Sequence, residues 1–125
     1  MADPHGQVLG LRPGRLDLTV MRGDGLSFVA GFFDQDGSPV DVSEWTFEGQ
    51  VRRTYGGPIL AQLAVTVASG GLDDHEIRAE VDAATIWTIV EGSCPWDLVA
   101  TSGWPSIRTV LAGIMQVLPR ATEVA

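Results

Sequence analysis

The rhythm of punctuation constrains this chain most. Short runs rich in Val, Ile, Leu, Thr and Phe are broken by Gly, Pro, Asp and Ser at intervals of about ten residues, the spacing of a β-sandwich or barrel. Leu16-Asp17-Leu18-Thr19-Val20 alternates apolar and polar residues, which places both leucines and the valine on one face of a half-buried strand. Arg22-Gly23-Asp24-Gly25 supplies a turn, and Leu26 to Phe33 reads as a second strand. Asp34 to Pro39 is a turn by composition, Val40 to Trp45 a bend, and Thr46 to Arg53 a strand. Tyr55-Gly56-Gly57-Pro58 breaks the chain before a strand over Ile59 to Ala68, whose β-branched second half argues against helix. His75 to Val81 alternates, with Ile77, Ala79 and Val81 on one side.

Asp82 to Val90 is the one segment with helical character, because Asp82 can cap a first turn and Ala83-Ala84 favour helix. Gly92 ends it, Trp96 to Thr101 reads as a strand, and Ser102-Gly103-Trp104-Pro105 as a turn. In the last strand Ile107, Thr109, Leu111, Gly113, Met115 and Val117 share one face, and Arg108, Val110, Ala112, Ile114 and Gln116 the other. Both faces are largely apolar, which predicts a central strand, bounded by Pro119. The expected organisation is a flexible Gly/Pro-containing arm over residues 1–14 and one all-β domain over 15–125. That domain is a single antiparallel β-sandwich with one short helical turn near 82–90. A chain of 125 residues with 45% hydrophobic and 19% charged residues is long enough for one core and too apolar for intrinsic disorder.

Charge narrows the partners. Sixteen acidic residues face eight basic ones, all arginine, for a formal charge of -8. Nucleic-acid binding needs a basic patch that displaces counterions from phosphates, and only Arg52-Arg53 sets two positive charges side by side. No nucleic-acid partner is expected. Met1-Ala-Asp-Pro-His-Gly does not read as a signal peptide, and no apolar stretch approaches the ~20 residues of a membrane-spanning helix. The expectation is a protein that stays in a cytoplasm, with no membrane partner. Cys94 is the single cysteine, which precludes an intramolecular disulfide and reads as a small buried hydrophobe.

No equipment for catalysis is recognisable, and the expectation is a non-enzyme with no catalytic, cofactor-binding or metal-binding residues and no cofactor. The two histidines, His5 in the arm and His75 at a strand start, neighbour no nucleophile motif. No Gly-x-Ser-x-Gly elbow, phosphate loop with lysine, or His-Glu-x-x-His is present. Asp34, Asp36, Asp41 and Glu44 surround a glycine as calcium ligands do, but the EF-hand register fails, with Phe32 at the first position and Ser43 at the twelfth. A solvated acidic turn is the simpler reading. Asp73, Asp74, His75 and Glu76 hold one histidine among acids, without a second nearby. Arg22-Gly23-Asp24 spells an adhesion tripeptide and is also what any solvent-facing turn looks like. Of four tryptophans, Trp45 and Trp87 read as lids closing a sandwich and Trp96 lies in a strand. Trp104 beside Pro105 reads as an interface or sugar-stacking candidate.

The order of features carries a resemblance. Leu16-Asp-Leu-Thr-Val followed by Arg-Gly-Asp, then Asp36-Gly-Ser-Pro-Val-Asp-Val-Ser-Glu-Trp and a strand ending in Val51-Arg52, resembles small virion proteins of tailed bacteriophages. Ala83-Ala-Thr-Ile-Trp87, Trp96-Asp-Leu98 and Val110-Leu-Ala-Gly-Ile-Met-Gln-Val117 resemble the closing strands of the same immunoglobulin-like modules, which include N-terminal modules of phage upper baseplate proteins. The resemblance spans Leu16 to Thr122 and rests on turn and packing residues. It implies a structural virion protein, assembled in the host cytoplasm, that serves as an assembly or adaptor component of a tail tip or baseplate. Its partners would be other virion proteins and further copies of itself in a symmetric ring. Capsid decoration on the same fold, and a carbohydrate-binding module, are the alternatives. The baseplate proteins continue into receptor-facing or adaptor regions where this sequence ends at Ala125, which implies a stand-alone adaptor or decoration.

Overall fold

The punctuated runs become strands in the computed structural model, which describes residues 5–9, 13–102 and 107–121, the first segment by its backbone alone. Nine strands and one helix are described: β1 (His5–Leu9), β2 (Gly14–Arg15), β3 (Leu18–Met21), β4 (Leu26–Phe33), β5 (Thr46–Arg52), β6 (Ile59–Val67), β7 (Glu76–Val81), α1 (Ala83–Trp87), β8 (Gly92–Thr101) and β9 (Ile107–Leu118). They follow one hydrogen-bonded path, β1-β4-β7-β6-β5-β8-β9-β2, with β3 also on β9.

The path curls into a half-barrel because β6 belongs to two ladders. Its first half pairs with β5 through Gly49↔Leu63 and Val51↔Ala61, and its second half with β7 through Ala64↔Glu80 and Val67↔Ile77. Inside the curl lie Phe28, Phe32, Ile77, Leu98, Leu111 and Met115, all 2% exposed or less. Burying each such side chain contributes roughly 1.5–3 kcal/mol. Ile86 and Ile89 of the α1 region join the same core. The helix is short, as expected, and Asp82 caps it by accepting from the Thr85 amide at 2.7 Å.

The all-β class holds, but the ladders are mixed rather than antiparallel. β1 runs parallel to β4, and β2 and β3 run parallel to β9. The cause is the N-terminal segment, which passes from one margin of the sheet to the other and lies beside each neighbour in the same chain direction. Residues 5–9 and 14, read from sequence as part of an arm, thus supply β1 and the start of β2. Between β2 and β3 the ladder is completed by a side chain. Leu16 N–H donates to the Ala112 carbonyl at 3.0 Å, and Asp17 Oδ1 accepts from the Ile114 amide at 3.0 Å.

Two strands depart from their sequence reading. β8 begins at Gly92, not Trp96, and carries Pro95 in its interior at the point where pairing with β5 stops, Val51↔Trp96 being the last pair. β9 is central, flanked by β8 and by β2 and β3. Its faces are not continuous, however, because Leu98 pairs with Leu111 and Val99 with Thr109, leaving Val110 unopposed. That bulge changes the phase. Val110 and Leu111 are both buried, Met115 and Val117 continue the inner face, and Ile107 is 71% exposed.

Candidate functional site

Strand register sorts the loops onto two rims. Residues 34–45 and 68–75 and Ser102 lie at one, here the upper rim. Turns 22–25 and 53–58 and the α1 region lie at the lower.

The lower rim holds Arg22-Gly23-Asp24, and its charges are engaged within the molecule. Arg22 donates to the Trp87 carbonyl at 2.9 Å, lies 5.0 Å from the Trp87 ring centroid and pairs with Glu91 at 3.7 Å. Asp24 accepts from Arg120 at 2.7 Å. Gly23 has φ of +91°, and a Cβ there would stand 2.9 Å from Trp87 Cε3. The tripeptide therefore works as a packed turn under Trp87. Arg52 and Arg53 diverge, with Arg53 donating to the Val90 carbonyl and Arg52 facing outward.

On the upper rim the acids are turn formers. Asp34 Oδ1 accepts from the amides of Asp36 and Ser38, each at 2.9 Å, and Asp41 Oδ1 from the amide and hydroxyl of Ser43. The Ser43 hydroxyl and amide hold the Asp41 carboxyl below the usual carboxylate range. Glu76 accepts from the Asp73 amide at 2.9 Å. His75 packs against Phe33 in a tilted pair, ring centroids 5.2 Å apart. Among the described residues no group of three or more His, Cys, Asp or Glu side chains gathers as a metal site would require.

Trp45 meets Phe32 at 5.9 Å and Phe47 at 6.3 Å and packs against the core at the upper end, whereas at the lower end Ile86 and Ile89 enter the core and Trp87, expected as a second lid, lies half-buried over Arg22. Trp96 is 3% exposed, packs on Phe28 at 5.3 Å and donates its indole N–H to the Leu16 carbonyl at 3.0 Å. Cys94 is buried, which pushes its thiol pKa up. Trp104 and the side chain of His5 lie outside the described residues.

The most site-like surface was not singled out in the sequence. On the outer face of β5 and β8, Glu48, Gln50 and Arg52 alternate with inward Gly49 and Val51, opposite Asp97 and Val99. Two adjoining hollows share Gln50 and Asp97. One, of about 130 Å³, is lined also by Arg52, Tyr55, Gly56, Pro95 and Trp96; the other, of about 170 Å³, by Glu48 and Val99. Tyr55 stands over the first at 85% exposure. Arg52 is held in place, donating to Gln50 Oε1 at 2.8 Å and to the Gly57 carbonyl. The Glu48 and Asp97 carboxylates have no hydrogen-bond or ion-pair partner among the described residues. The outward Glu-x-Gln-x-Arg alternation and a tyrosine in a Gly-Gly-Pro turn were the available signals. A separate hollow of about 200 Å³ opens at the upper rim between Trp45, Ala100, Ser102 and Arg108.

No family model matches the sequence, and no curated protein matches it. Among solved structures, a 30% stretch of a Listeria monocytogenes internalin-like protein, lmo2027, aligns with 92% of the chain at 10% identity and a TM-score of 0.42. The N-terminal domain of phage TP901-1 ORF48 aligns at a TM-score of 0.57 and 8% identity, covering 94% of this chain and 98% of that one. The chain thus shares its fold, over 94% of its length, with a domain of a phage protein.

Proposed function

We propose that this protein is a structural component of a tailed-bacteriophage virion, an assembly or adaptor part of the tail tip or baseplate, without catalytic activity. The observation that carries the reading is the reciprocal coverage of the ORF48 N-terminal domain, 94% and 98%, which makes the likeness one of whole domains. The order of sequence features described above supports it independently of the coordinates. The finer fold expected from that resemblance, an immunoglobulin-like sandwich, belongs to the same proposal. Neighbouring virion proteins are its partners in this reading, and copies of the chain associate in a ring, as symmetric particles require.

Gold-labelled antibodies on purified particles of the phage that encodes it test the placement. Label at the tail end is the expected result. Label over the head would replace the tail with capsid decoration, and unlabelled particles would refute a virion role. Native mass spectrometry of the purified chain tests the ring, which requires a closed oligomer, whereas a strict monomer at micromolar concentration contradicts it.

A further inference from the structure

We propose that the groove between β5 and β8 binds a neutral saccharide chain, with Tyr55 as its stacking platform. The inference rests on the groove alone and not on a virion role.

Tyr55 makes no contribution to the core at 85% exposure, yet its turn is held firmly. Gly57 N–H donates to the Thr54 carbonyl at 3.0 Å, and the Arg52 guanidinium grips the Gly57 carbonyl from the strand below. A large ring carried on a held turn at the edge of a hollow, with apolar faces and one polar tip, suits a ligand that presents C–H and O–H groups together.

The rest of the lining selects for hydroxyls. The two unpartnered carboxylates accept from O–H donors, the Gln50 amide donates, and the fixed guanidinium donates to ring or hydroxyl oxygens. Two carboxylates against one guanidinium, on a chain of net charge -8, repel a polyanion. A peptide is disfavoured for another reason. Extended peptides add to a sheet edge through backbone hydrogen bonds. Here β5 is already paired with β6 and β8, and β8 with β5 and β9, so the groove between them offers no open strand edge to extend. From Arg52 to Glu48 it runs four residues along β5, about 13 Å at strand rise, long enough to seat more than one sugar ring.

Tyr55 is the single tyrosine of the chain, which makes the test direct. Biosynthetic 3-fluorotyrosine gives one fluorine resonance, reporting Tyr55 only. The full chain is titrated with cellohexaose, maltohexaose, chitohexaose and neutral bacterial cell-wall polysaccharides, and affinity is measured by calorimetry. The expected result is a saturable shift with at least one of these. Tyr55→Ala and Asp97→Asn should each weaken binding about tenfold or more, with unchanged melting temperature, while Thr19→Ala leaves it unaltered. Silence across the panel overturns the proposal, as does binding that survives Tyr55→Ala and Asp97→Asn, or a response confined to anionic polymers.

Discussion

Gly113 lacks a side chain because another stretch of chain lies over it: a Cβ built there would stand 2.0 Å from the Leu16 carbonyl oxygen. Gly113→Ala should therefore push residues 16–17 off β9 and cost about 2–3 kcal/mol, measured by urea unfolding. Faster hydrogen exchange at the Ile114 amide should accompany it. Trp96→Phe keeps a ring against Phe28 but leaves the Leu16 carbonyl without its indole donor, a loss of about 1 kcal/mol in the same assay. Asp17 gives a pH signature at the same crossing. The Ile114 amide and the Arg15 guanidinium hold its carboxyl below the usual carboxylate range. A lowered folded pKa means stability that is present above the ordinary carboxylate value and lost as pH falls through the folded value. Asp17→Asn keeps an oxygen for Ile114 and should flatten that part of the acid limb in melting temperature against pH. At this scale the sequence revealed the alternation of Leu16, Leu18 and Val20 but not the role of Asp17, because a carboxylate standing in a backbone ladder has no local signature.

Elements were legible where one face is buried and the turn chemistry agrees with the pattern. Leu26 to Phe33 was read at the bounds of β4, and Asp82 and the helix it caps were located by the same reasoning. Removing that cap by Asp82→Ala should fray α1 and speed exchange at the Thr85 amide, while exchange in β4 stays as it was. The failures share a cause, a local rule overridden by tertiary pairing. The strand read over Trp96 to Thr101 starts at Gly92 and takes in Pro95, which is tolerated because β8 no longer pairs with β5 there. Strict alternation through β9 hid the bulge at Val110, since a period of two read from sequence carries no information about when a partner strand skips a residue. The outer groove was missed in the same way: Gln50 and Asp97 are 47 positions apart in sequence, and only strand register sets them opposite each other.

For the whole molecule, the all-β class and the single core could be read from rhythm and composition, whereas strand direction could not. Hydrophobic alternation reports faces, not which neighbour lies alongside or which way it runs. The carboxyls of Asp17, Asp41 and Asp82 are all held below the usual range by hydrogen bonds formed in the fold, Asp82 by the Thr85 hydroxyl and amide. Stability should accordingly be level through neutral pH and decline as pH falls below the ordinary carboxylate value, which thermal melts from pH 7 to 2 would show. The parallel ladder between β3, near one terminus, and β9, near the other, has a mechanical consequence. Tension applied between Asp17 and Pro119, the residues that flank this ladder, slides the two strands along each other and loads their cross-links together, so the ladder resists pulling in shear instead of opening one bond at a time.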